Sequence, residues 1–331
     1  MVDLTPLTHI AIFSVELQND GSLEGAAHWH SVAPALIERA HNMDVKVHLC
    51  LSAFFDWGAL THPTDFVFGD PELKSNLISE LSNLVNQYGA DGINVDIEGM
   101  NSAQKDNLND LVARLKQEVD EVFIALPAVD WSDAYDETAL AALSDGLFIM
   151  AYDYHWRTSN PGPVDPLYAS NMWGNYAIAS TTETYLELAP AEKLILGLPL
   201  YGRDWPSVDE TIPGTATAAG AAVTLQEVPA LEQAHAAQYD FASSTHYILY
   251  PGHQIWYPTI DTVRERIEFG MNKSLQGVGF WALSYEDSGS YFWNMVLEEV
   301  GTTDQSSPNN ESTDEPTADP SDLSALVAVA G

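Results

Sequence analysis

The 331-residue chain is 46% hydrophobic and 18% charged, with 48 Asp+Glu against 12 Lys+Arg and a formal net charge of −36 at pH 7. The apolar fraction suffices for a packed core and excludes wholesale disorder, and no apolar run nears the roughly 18 residues of a membrane span. The carboxylate surplus excludes a general nucleic-acid binder, because a polyanion repels phosphate. Self-repulsion at this charge destabilises a compact state at low salt, and molar salt screens it to within about 3 Å. The surface therefore reads as adapted to high salt, as in halophiles. The single cysteine, Cys50, excludes an internal disulfide. It sits in an apolar run and is expected to be a buried, inert thiol. The opening MVDLTPLTHIAIF lacks a basic region, a long apolar stretch and a small-residue cleavage site, so no signal peptide is visible in it.

In chain order, strands are predicted at residues 9–15 (HIAIFSV) and 46–52 (KVHLCLS). A helix over 71–88 opens with Pro71, carries Leu73, Leu77, Leu81, Leu84 and Val85 at three- and four-residue steps, and stops at Gly89. A strand at 92–98 (GINVDIE), a helix over 101–119 and strands at 122–128, 146–153 and 193–200 follow. A helix over 259–271, a strand at 277–283 (GVGFWAL) and a helix over 291–300 complete the pattern. Nearly continuous apolar strands alternating with amphipathic helices mean a parallel sheet covered by helices. Seven such strands point to an α/β TIM (β/α)8 barrel that is one strand short, and the first strand is expected to precede Met1.

Two segments depart from this rhythm. Residues 206–255 read as a small α+β insertion before the last strand, within a barrel spanning residues 1–301. Residues 302–331 contain six acidic residues, no basic ones and three prolines, and read as a disordered acidic tail or linker.

The chemistry concentrates in DGINVDIE. Alternate strand residues share a face, so Asn94, Asp96 and Glu98 point one way and Ile93, Val95 and Ile97 the other. The apolar triplet suits the helix side, which puts the polar triplet inside the barrel or at its mouth. Two carboxyls buried merely as structure would need a cation, and this segment offers none. Burial and mutual charge raise the pKa of one of them, and a carboxyl so raised can act as a general acid. Glu98, last on the strand, is nearest the face where barrel enzymes carry their sites.

DGINVDIE resembles the DxxDxDxE signature of glycoside hydrolase family 18, the chitinases and their relatives. MAYDYHW (150–156), GLPLYGRDW (197–205) and GVGFWALSYED (277–287) resemble later strand ends of that family in the family's order, and the insertion after YGR resembles its small α+β domain. The resemblance covers roughly residues 8–300. It implies a retaining hydrolase of β-1,4-linked N-acetylglucosamine polymers, chitin or chitooligosaccharides, in which the substrate's own acetamido oxygen attacks. It assigns Glu98 as general acid/base, Asp96 as the partner of the acetamido N–H, and Tyr152 as the donor that orients the acetamido oxygen. Asp153 would contact the sugar at the cleavage point and Trp281 would form its floor. Trp156, Tyr201, Arg203, Tyr154 and Trp205 would wall the cleft, with Met150 packing beneath.

Three departures stand beside the resemblance. Asn94, grouped here with the catalytic residues, occupies a position where chitinases usually carry Asp, and members acting on bacterial cell walls resemble the Asn version. CLSA (50–53) stands in place of the family's S-x-G-G, and the first strand is missing. Alternatives are a hydrolase of peptidoglycan-type glycan and a non-catalytic chitinase-like lectin, although the acid is present. His28 and His30 have an H-x-H spacing but no ligand cluster nearby in sequence, so neither metal nor cofactor is expected. The partner is the glycan; the chain is expected to be a monomer acting outside the cell or at its surface. Asn310 begins a weak glycosylation sequon.

Overall fold

The computed structural model describes Leu4, residues 6–286 and 291–301, and the strand Ala325–Ala330. Its strands are β1 (His9–Leu17), β2 (Leu23–Glu24), β3 (Lys46–Phe54), β4 (Gly92–Glu98), β5 (Glu121–Pro127), β6 (Gly146–Met150), β7 (Leu194–Pro199), β8 (Tyr201–Pro206), β9 (Ala221–Thr224), β10 (Ala237–Asp240), β11 (Thr245–Tyr250), β12 (His253–Tyr257), β13 (Gly277–Trp281) and β14 (Ala325–Ala330). Its helices are α1 (Ala26–His41), α2 (Pro63–Val67), α3 (Pro71–Tyr88), α4 (Lys105–Glu118), α5 (Glu137–Leu143), α6 (Ile178–Leu188), α7 (Val228–Ala234), α8 (Ile260–Asn272) and α9 (Tyr291–Gly301). Among the described residues no helix is long and apolar enough to cross a membrane.

Parallel pairing runs β1-β3-β4-β5-β6-β7-β13-β14 and returns from β14 to β1, so eight strands close a barrel. This corrects the expectation of a missing strand. The place between β13 and β1 is taken by Ala325–Ala330, with His9 opposite Val327 and Gly279 opposite the same residue. It also corrects the reading of 302–331 as tail throughout: the apolar end of that segment pairs in the sheet, while residues 302–324, with the sequon at Asn310, lie outside the described residues. Closure satisfies backbone groups on both β1 and β13 that would otherwise form open sheet edges.

Helix α3 shows why the local pattern was legible. The Asp70 side chain accepts from the backbone N–H of Glu72 and Leu73, Pro71 needs no donor partner, and Gly89 ends the helix at φ 71. Leu77, Leu81, Leu84 and Val85 are buried against the strands. Core packing has two layers. One, between strands and helices, holds Ile93, Val95, Ile97, Leu108 and Leu111. The other fills the barrel with Phe123, Ala125, Phe148, Met150 and Ile195. At Gly197 a Cβ would lie 2.3 Å from the Phe148 ring, so only glycine leaves that ring its place. Each fully buried aliphatic side chain contributes about 1.5–3 kcal/mol.

The insertion is a five-stranded antiparallel sheet in the order β10-β11-β12-β8-β9. It starts at Tyr201 and ends at Tyr257, wider than the expected 206–255. The reason is that YGRDWP and HQIWY are themselves paired strands, Arg203 lying opposite Trp256. Tyr201 and Arg203 thus stand where barrel and insertion meet.

Candidate active site

Strand β4 delivers the polar triplet as its alternation requires. Ile93, Val95 and Ile97 face the helices, whereas Asp96 and Glu98 line a cavity of about 560 Å³ at the C-terminal ends of the strands. Met150, at the end of β6, and Tyr152, Asp153, Tyr154 and Trp156 just after it line the same cavity, as do Tyr201, Arg203 and Trp281. All but two of the predicted site residues are therefore brought together.

Asn94 is one exception. It lies one layer deeper, 4% exposed, opposite Cys50 on β3, and its amide reaches the Cys50 sulfur at 3.7 Å. It does not line the cavity, because two residues down a strand is about 6.8 Å further from the mouth. Its placement among the reacting groups is corrected: it packs beneath Asp96. Trp205, expected as a cleft wall, is also displaced. It is wholly buried, packed with Val164, Tyr201 and Trp256 under the insertion. Cys50 is buried as expected, and burial pushes its thiol well up. His28 and His30 lie exposed on α1, on either side of buried Trp29.

The electrostatics separate three carboxyls. Asp153 is held by Arg203, whose Nε and Nη2 donate to Oδ1 at 3.1 and 2.9 Å and whose Nη2 donates to Oδ2 at 2.7 Å. The Arg203 guanidinium also sits 5.2 Å from the Tyr201 ring centre. Asp96 has no such partner: burial, then the charge of Glu98, pushes its pKa well up, and its buried Oδ1 accepts no hydrogen bond. Burial, then the charge of Asp153, raises Glu98 as well. Burial thus favours the protonated forms of Asp96 and Glu98, while Asp153 is paired with the Arg203 guanidinium. Burial likewise raises Tyr152, keeping its phenol a donor.

The walls are aromatic. The Trp281 ring meets Phe13 edge-on at 5.0 Å, and Trp131 meets Tyr176 at 4.7 Å. Phe13, Phe54, Trp131 and Tyr176 were not predicted from sequence. Phe13 falls in a register shift between Ile12 and Val15, and Trp131 and Tyr176 lie outside regular strands, where no periodicity marks them. The one signal available was their type: large aromatics beside barrel strand ends. Trp131 remains 75% exposed, a surface suited to a sugar face. Asp287, the last residue of the GVGFWALSYED segment, lies outside the described residues. Among the described residues one group could hold a metal, His9, His48 and Glu121, and it sits at the opposite end of the barrel from this cleft.

The model of glycosyl hydrolases family 18 matches residues 2–286. The chain belongs to glycosyl hydrolase family 18. It is 26% identical over 293 residues to the Bacillus subtilis protein YdhD, covering 83% of this chain and 65% of that protein. It is 24% identical over 304 residues to the cortical fragment-lytic enzyme of Bacillus subtilis, covering 84% of this chain and 64% of that enzyme. The chain thus spans just under two thirds of the length of both. The crystal structure of Ostrinia furnacalis Group IV chitinase superposes with a TM-score of 0.79 at 18% identity, covering 91% of this chain and 93% of that one. That likeness establishes a shared fold for this family 18 member.

Proposed function

We propose that this family 18 protein is a retaining glycosidase of β-1,4-linked N-acetylglucosamine glycans, chitin or its oligosaccharides foremost, with the substrate's acetamido group as nucleophile. One observation carries the reading. Asp96 and Glu98 share a cleft whose one basic lining residue, Arg203, is spent on Asp153. Both can therefore hold protons where a glycan would lie.

Glu98 donates its proton to the glycosidic oxygen as the C1–O bond breaks. The acetamido oxygen closes on C1, giving an oxazolinium ion. The orphaned Asp96 oxygen accepts a hydrogen bond from the acetamido N–H, and that bond strengthens as the N–H becomes more acidic in the forming oxazolinium ion. The Tyr152 phenol donates to the acetamido oxygen and holds it in line. Trp281, backed by Phe13, offers a flat apolar floor to the sugar's C–H face. Glu98, now ionised, takes a proton from water, which attacks C1 from the vacated side and retains configuration.

The test is product analysis by NMR immediately after cleavage of chitooligosaccharide, with glucosamine oligomers as the comparison. The expected outcome is the β-anomer as first product and no cleavage of the N-deacetylated oligomer. An α-anomer first product, or equal cleavage of both oligomers, overturns the reading.

A second substrate, peptidoglycan-type glycan, is favoured by Asn94 and by the likeness to the cortical fragment-lytic enzyme. Parallel digestion of chitin, chitooligosaccharide and peptidoglycan in molar salt separates the two. Absence of turnover on all three identifies a lectin instead. A polymer substrate of this kind places the protein outside the cell or at its surface.

A further inference from the structure

We propose that the N-terminal face of the barrel carries a structural site for a divalent transition ion, zinc above all, held by His9, His48 and Glu121. Residues 39 and 73 positions apart in sequence are brought together because each stands at or near the start of its strand, on β1, β3 and β5. Glu121 Oε2 lies 3.0 Å from His9 Nε2 and 3.0 Å from His48 Nε2, and all three ligand atoms fall within 4.8 Å of one another. Metal–ligand bonds of about 2.0–2.2 Å in a tetrahedron set ligand atoms roughly 3.3–3.5 Å apart, so the two imidazole–carboxylate separations are within a few tenths of an ångström of that spacing and the two imidazole nitrogens, within 4.8 Å, close on the ion as it binds. Two imidazoles and one carboxylate form a donor set that suits zinc, cobalt or nickel and disfavours magnesium and calcium.

The surroundings are those of a held site. His9 Nδ1 lies 2.8 Å from Thr8 Oγ1, which can accept a hydrogen bond from Nδ1–H when Nε2 binds metal. The ring then changes tautomer without changing charge. Phe123 packs against both imidazoles, at 5.1 Å from His9 and 4.9 Å from His48, and fixes their planes. His48 is 1% exposed, while the Glu121 side chain is 18% exposed and opens a path from solvent. Lys46 pairs with the other carboxylate oxygen, Oε1, and with half of its side chain exposed it can swing aside. The net charge of −36 concentrates cations at the surface and lowers the cost of adding two positive charges here. Two imidazoles converging on one oxygen, instead of sharing the pair, is the geometry of a ligand set. The active cleft lies at the other end of the strands, so the ion acts on stability, tying β1, β3 and β5 together.

The test is cobalt and zinc titration of the full chain after chelator treatment, in molar KCl. One equivalent of cobalt should give visible absorption bands of low-symmetry coordination. Zinc at a hundred times its dissociation constant should raise the Tm by about 4 °C. Glu121→Gln and His48→Asn should lose both responses, and Glu98→Gln, altered at the cleft, should keep them. A featureless cobalt spectrum with no Tm shift in the wild-type chain overturns the proposal, and so does uptake that survives Glu121→Gln. If neither Glu121→Gln nor His48→Asn folds, the wild-type spectrum decides alone: bands support the site and their absence refutes it.

Discussion

Arg203 grips Asp153 through three hydrogen bonds of 2.7–3.1 Å, and this contact occupies the one basic residue that lines the cleft. The guanidinium is spent on Asp153, and burial raises both other carboxyls, joined by the charge of Glu98 at Asp96 and by that of Asp153 at Glu98. Arg203→Gln should leave Asp153 without its counter-ion beside Glu98. We expect kcat to fall at least 10-fold and thermal stability to drop, because a half-buried carboxylate loses its partner. Unchanged turnover in that variant would show that the grip does not matter to the chemistry.

The proton on Asp96 has a measurable stability signature. Its pKa is raised in the folded protein by burial and then by Glu98. Below the unfolded value, near 3.9, both states hold the proton and the group costs nothing. As pH rises from there toward the folded value, the unfolded carboxyl ionises in water while the buried one keeps its proton, and stability is lost. Asp96→Asn should therefore raise the Tm by a few degrees at pH 7 and by nearly nothing at pH 3.5, while activity falls. Thermal melts across pH check this; an equal shift at both values contradicts it.

How far the sequence reached can be seen in particular residues. The β4 triplet was legible because a strand's two-residue period sorts Asp96 and Glu98 from Val95 and Ile97 without any tertiary knowledge. Helix α3 was legible because Asp70, Pro71 and Gly89 are local signals. Asn94 was misplaced because alternation gives a face but not a depth. Trp205 was misplaced because an aromatic on the insertion's first strand packs inward or outward according to a partner, Trp256, that sequence does not reveal. Strand β14 was hidden because an Ala- and Val-rich segment after an acidic stretch reads as the end of a linker. The His9, His48 and Glu121 cluster exists only through strand register.

Strand β14 invites a direct trial. It pairs with β1 and β13 along four and five residues respectively. Ending the chain after Gly301 should reopen both edges, lower the Tm by several degrees and promote association through the exposed strands. Size-exclusion chromatography and melting curves decide; an equally stable, monodisperse product would mean that β14 contributes nothing.

The charge makes a further prediction. Even complete pairing of the 12 basic residues leaves 36 carboxylates over. Dialysis from molar KCl to about 10 mM salt extends the Debye length from about 3 to 30 Å and restores their repulsion. We expect loss of far-UV circular dichroism that returns on re-addition of salt. Full retention of the signal at low salt would reject adaptation to high salt.

The most direct measurement is reducing-sugar release from chitooligosaccharide, or from peptidoglycan if that is the substrate cleaved, by the Glu98→Gln variant beside the wild type. Oligosaccharide affinity is followed in the same samples. With Glu98 as the proton donor, turnover should fall by about 10²–10⁴-fold or more while binding stays within a few-fold of wild type. Turnover at the wild-type rate in the Gln variant would contradict the account.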